Sequence, residues 1–195
     1  MQPQRRTSRL APAFVLVAIL FGGIAAVPSG SSCSTRNLVF HEGTNIAATV
    51  SPDGQKVIMD LQNNLWSLPI RGGRAEKLTD DFLEPSRPHW SPTGELVAFQ
   101  SYTTGTFHIW VMKPGGSGLH QLTDGHGDDR EPRFSPDGKR IAFSSDRAFA
   151  GSYDIWVVDV ATGALTQWTQ GPADEFEPSW TPDGKEIVFV SGTGA

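Results

Sequence analysis

A four-residue turn, Ser-Pro-Asp-Gly or a near copy of it, occurs four times in this chain, and that recurrence restricts the fold more than any other feature. It stands at residues 51–54, 91–94, 135–138 and 181–184, so that Ser51, Ser91, Ser135 and Thr181 lie 40, 44 and 46 positions apart. Self-similarity at this pitch marks a repeat architecture, in which each unit buries its apolar face against the next.

One full unit reads from residue 130 to residue 169. Pro132 and Phe134 lead into the turn, and Ile141-Ala142-Phe143 follow it. Asp154-Ile155-Trp156-Val157-Val158 come after a connection, then a Thr162-Gly163 turn and a closing Trp168-Thr169. Residues 87–123 repeat this order, residues 49–79 form a worn copy, and a fourth copy opens at Glu177. Within the turn, proline presets φ at the first central position and aspartate suits the second, which is type I chemistry. The runs that follow are apolar at successive positions, as in strands covered on both faces. Helical periodicity is absent. Four antiparallel strands in about 40 to 46 residues make one propeller blade.

The landmarks (proline-aromatic, S-P-D-G, I-A-F, D-I-W, L-T) resemble the TolB-type repeat over Ile46 to Val190, without the Gly-His and Trp-Asp dipeptides of WD repeats. Copy one departs most, with Val50 in the aromatic slot and Asn64-Leu65-Trp66 for Asp-Ile-Trp. The resemblance implies an all-β partial propeller of three full blades and half a fourth: 46–80, 86–124, 130–170 and 176–195. It also implies a six-bladed parent, and hence a truncated chain in preference to one that closes its ring by pairing with a second copy. Residues 42–80 are similar to propellers fused ahead of amidohydrolases and, less closely, prolyl-oligopeptidase-type hydrolases.

Residues 1–32 read as an export signal helix or N-terminal anchor. Arg5, Arg6 and Arg9 form a basic start, and an uncharged stretch from Ala13 to Val27 follows, short of the roughly 20 residues that span a bilayer. Residues 33–45 form a linker with a candidate closing strand at 37–40. Export places the protein in the periplasm or cell envelope of a bacterium. Cys33 is the single cysteine, so no internal disulfide forms. It is either a lipidation site, the one membrane attachment besides the signal, or a spare thiol. Setting the leader's three arginines aside leaves 13 basic against 21 acidic residues, a net of −8. That balance argues against nucleic acid and leaves basic protein surfaces open.

Candidate binding residues are acids near each blade opening: Glu84, Asp128, Asp129, Glu131, Asp174, Glu175 and Glu177. Placed in the connections between blades, they form an acidic rim for a basic protein or peptide. The competing reading makes them solvated turn acids. Arg87 and Arg130, taken as equivalent positions, would neutralise part of that rim, and Asp146-Arg147 would brace a loop as a pair. His120, Asp124, His126 and Asp128 have a metal-like composition but straddle a strand and a loop, so no metal site is assigned. No nucleophile elbow, His-x-His, HExxH or phosphate loop occurs, so neither a catalytic residue nor a cofactor is expected. Two functions follow: an exported, non-catalytic binding scaffold, or the N-terminal propeller of a hydrolase whose catalytic domain lies beyond residue 195.

Overall fold

The computed structural model describes residues 46–192. The export signal, the 37–40 strand and Cys33 fall outside them. Three four-stranded antiparallel sheets and one two-stranded sheet follow in chain order. Blade 1 holds β1 (Ala48–Val50), β2 (Lys56–Leu61), β3 (Asn64–Pro69) and β4 (Glu76–Lys77). Blade 2 holds β5 (Pro85–Trp90), β6 (Val97–Ser101), β7 (His108–Met112) and β8 (His120–Gln121). Blade 3 holds β9 (Asp129–Phe134), β10 (Arg140–Phe149), β11 (Ser152–Asp159) and β12 (Leu165–Gln167). Blade 4 holds β13 (Asp174–Trp180) and β14 (Ile187–Gly192). All strands pair with their sequence neighbours, and among the described residues there is no helix.

The turn that repeats is a hydrogen-bonded box. Gly54, Gly94, Gly138 and Gly184 each donate N–H to the first residue of their turn, at 2.8 or 2.9 Å. Each sits in the left-handed region, with φ between 68° and 74°, where a side chain is strained. Ser135 Oγ donates to Asp137 Oδ1 at 2.5 Å, and the same oxygen accepts Lys139 N–H. Asp53 and Asp183 do the same in their turns. The hydroxyl bonds lead in holding these three carboxyls below the usual range.

The Leu-Thr landmark closes the other end of each blade. Thr79, Thr123 and Thr169 present Oγ1 to the N–H of Leu65, Ile109 and Ile155, at 2.8–2.9 Å. A hydroxyl thus satisfies an amide beyond the end of the short outer strand, which would otherwise be an unpaired donor.

The core lies between sheets. Phe99 and Val97 face blade 1 with Ile58, Leu65 and Trp90, while Ala98 faces blade 3 with Ile109, Phe134, Ile141 and Phe143. Ala142 in turn joins Ile155, Val157 and Ile187 against blade 4. The Ala in Ile-Ala-Phe is small where the next sheet approaches, and the Phe fills the opposite gap. Burying Phe99 or Phe143 contributes on the order of 2–3 kcal/mol each.

Candidate binding site

Each inner strand after the first carries a bulge just before its proline, at Arg87, Glu131 and Glu177, with φ of 52°, 60° and 52°. A bulge turns its N–H out of the ladder, so the donor needs another acceptor. The preceding blade supplies it. Arg87 N–H donates to Asp60 Oδ2 at 2.8 Å, Glu131 N–H to Gln100 Oε1 at 2.8 Å, and Glu177 N–H to Glu131 Oε2 at 2.6 Å. Asp60 and Gln100 occupy the same position of β2 and β6. Ser144, their counterpart in β10, is too short to take that part, and it donates to Glu131 instead. These residues escaped the sequence reading; the available signal was a buried polar side chain within an apolar strand (Ile58-Met59-Asp60, Ala98-Phe99-Gln100).

The acidic residues lie in several environments. Asp129, Glu131, Asp174, Glu175 and Glu177 belong to strands β9 and β13 and not to connections, because inner-strand pairing continues past the bulge. Asp129 is fully buried, accepting from Ser145 Oγ at 2.6 Å and Arg147 Nη2 at 2.5 Å. Glu131 is buried, and Arg87 Nη1 lies 3.4 Å from Glu131 and 3.0 Å from Glu177, joining blades 2, 3 and 4. Asp128 accepts from Phe107 N–H, the Arg130 guanidinium and the Tyr153 hydroxyl. Burial alone would raise its pKa, but these bonds hold it below the usual range. Tyr153 is pushed up to about 12 by burial and by its bond to Asp128. Asp174 accepts Tyr153 N–H, and Glu175 accepts the Thr169 hydroxyl.

Two details differ from expectation. Arg87 and Arg130 do bind acids, but from different positions, since Arg87 aligns with Glu131 by its bulge and proline. Asp146 and Arg147 both brace the blade 3 hairpin without pairing each other. Asp146 accepts the N–H of Asp128 and Gly151, while Arg147 reaches Asp129. His120 lies exposed on β8 with Nδ1 against Gly118 O, and His126 is exposed in the loop beyond. Among the described residues no group of three metal-ligating side chains assembles, and no helix is long and apolar enough to cross a membrane.

Glu84 is the exception among the acids. It is exposed, in the left-handed region at φ 47°, and has no hydrogen-bond or ion-pair partner among the described residues. It lines an open groove of about 350 Å³ between blades 1 and 2 with Asn63, Pro85, Ser86, Tyr102 and Phe107. Tyr102 and Phe107 pack with ring centres 5.1 Å apart, and Phe82, 85% exposed, stands beside them in the chain's approach to β5. Ser101 and Thr103 hydroxyls hold the carbonyls of Leu83 and Phe82, which fixes this approach against blade 2.

A model of the TolB beta propeller domain matches residues 70–150. Over those residues the repeats match the TolB propeller type. An uncharacterized protein of Agrobacterium fabrum is 33% identical over 81 residues, 40% of this chain and 27% of that protein. TolB from Acinetobacter baumannii superposes with a TM-score of 0.63 at 23% identity, over 77% of this chain and 39% of its own. Puromycin hydrolase superposes with a TM-score of 0.62 at 19% identity, over 76% of this chain and 28% of its own. The chain therefore spans well under half of each of these proteins, and the structural likenesses establish the TolB-type propeller fold alone.

Proposed function

We propose that this chain is part of an exported TolB-like propeller that binds a basic peptide segment of a protein partner and performs no chemistry on it. The observation that carries the reading is the groove at Glu84. It combines a carboxylate that has no partner among the described residues with the exposed ring of Tyr102 on a fixed backbone. A lysine or arginine entering there gains an ion pair and a ring face together. The other candidate acids are engaged within the blades, so the contact surface is this groove.

Fluorescence anisotropy with labelled Lys/Arg-containing peptides tests it. Glu84→Gln and Tyr102→Ala should each weaken binding several-fold while leaving the circular dichroism spectrum unchanged. Equal affinity for both variants and the wild type would remove the groove from consideration. The second reading, a propeller preceding a hydrolase domain, draws support from the shared fold with puromycin hydrolase. It is separated by extending the chain and assaying amide and ester turnover, which the binding reading expects to be nil.

A further inference from the structure

The inner strands β1, β5 and β9 enclose a second cleft, of about 220 Å³, lined by Ala47, Ala48, Thr49, Arg87, Pro88, His89 and Arg133. Its two cations are in different states. Arg87 is committed to Glu131 and Glu177. Arg133 has one hydrogen bond, from Nη1 to the carbonyl of its neighbour Pro132 at 3.1 Å, and no carboxylate within ion-pair distance among the described residues. The nearby carboxylates are engaged: Glu131 holds Ser144, Glu177 N–H and Arg87, and Glu177 holds Arg87. Burial lowers the pKa of Arg133, and the positive charge of Arg87 adds to the effect against the pull of Glu177 and Glu131.

His89 completes the set. Its Nδ1 accepts Phe134 N–H at 3.3 Å, which places the ring proton on Nε2. That donor has no partner among the described residues. Burial and the neighbouring Arg133 bring the His89 pKa down to about 4, so the ring stays neutral in ordinary buffers. The cleft therefore offers a guanidinium fork and an imidazole N–H that no carboxylate among the described residues pairs with.

We infer that this cleft binds an oxyanion, the carboxylate or phosphate group of a ligand, on the Arg133 fork with His89 Nε2–H as the second donor. The planar fork suits two-point contact with either group. The volume admits a small anion or one acidic side chain and excludes a folded partner. The site is independent of the Glu84 groove, whose ligand has the opposite charge.

Calorimetric titration of the full chain with inorganic phosphate, succinate and an Asp/Glu-containing peptide decides the matter. Saturable binding of at least one probe is expected, weakened roughly tenfold or more in Arg133→Gln. Arg133→Lys, which keeps the charge and loses the fork, should fall between. Lys113→Gln, which removes an exposed charge elsewhere, should bind as the wild type does. Tighter binding of the small anions identifies a free oxyanion as the ligand, and tighter binding of the peptide identifies a side-chain carboxylate. If Arg133→Gln fails to fold, Arg133→Lys and Lys113→Gln carry the comparison. No saturable binding of any probe at tens of millimolar, or Arg133 variants that bind no worse than Lys113→Gln, would overturn the assignment.

Discussion

The contact of blade 2 with blade 3 and the contact of blade 3 with blade 4 share a backbone and differ in charge. In the first, Asp129 pairs across the sheet with Ser145, and it meets the hydroxyl of that serine, Arg147, and His108 Nδ1 at 3.4 Å. In the second, Glu175 stands opposite Ser191, and Asp154 takes the position of His108. Gln167 donates to Asp154 Oδ2 at 3.0 Å, while Oδ1 is buried with no hydrogen-bond partner among the described residues. One contact completes its charges and the other leaves an acceptor idle. The turns and strand pattern set the geometry of a blade, and the individual residue in each position decides how well neighbouring blades are joined.

Removing the cation from the completed contact should have the largest effect. Arg147→Ala leaves the carboxylate of Asp129 at zero exposure without its counter-charge, a loss of about 3–5 kcal/mol. Urea unfolding should show the midpoint move accordingly. A change below about 1 kcal/mol would mean that the two contacts are equally tolerant, and the contrast would collapse.

A smaller loss follows from what lies under that arginine. A Cβ on Gly127 would sit 2.6 Å from Cβ and 2.8 Å from Cα of Arg147, so backbone or side chain must move. Ala173 occupies the corresponding position before β13, a methyl where blade 2 needs a hydrogen. Gly127→Ala should cost about 1–3 kcal/mol by thermal unfolding. Arg147→Ala keeps the Cα and Cβ that the new methyl would meet, so the clash persists in the double variant and its loss should approach the sum of the two.

Much of this was legible in the sequence, and the reasons are local. Pro136, Asp137 and Gly138 define a turn by their own backbone preferences, and Ile141-Ala142-Phe143 announces a strand covered twice. Side-chain partners across blades are not local. Nothing adjacent in sequence assigns Arg147 to Asp129 instead of Asp146, or Arg87 to Glu131 and Glu177. The length of β10, which runs to Phe149 and meets β11 at Ser152, was hidden for the same reason: a bulge between Ser145 and Phe149 lets pairing resume. The groove at Glu84 depends on Asn63 of blade 1 and Tyr102 of blade 2, and no spacing rule unites them.

The two contacts also respond differently to acid. His89 stacks on Phe134 with ring centres 6.2 Å apart and accepts its N–H, while Arg133, in the same position of blade 3, offers its backbone carbonyl to Trp180 Nε1 at 3.1 Å. The folded pKa of His89, about 4, lies below its ordinary 6.5. Between these values the unfolded chain takes up a proton that the folded chain refuses, so stability falls as pH drops from 6.5 towards 4 and then levels with respect to this group. His89→Gln should flatten that slope in urea midpoints measured at successive pH values. An unchanged slope would show that the histidine is not held neutral, and the first contact would lose its pH-sensitive member.

The smallest expected effect belongs to the incomplete contact. In Asp154→Asn the side-chain oxygen keeps Gln167, and an amide replaces the idle acceptor while a buried carboxylate disappears. Stability should stay level or rise by no more than about 1 kcal/mol. The same exchange at Asp129 removes a charge that Arg147 and His108 already answer, leaving the arginine side chain 12% exposed and without its ion pair. Asp129→Asn should therefore lose stability where Asp154→Asn does not. Equal losses for the two would mean that the idle oxygen is matched by a donor in solution, and that the two blade contacts are equivalent in energy as well as in backbone.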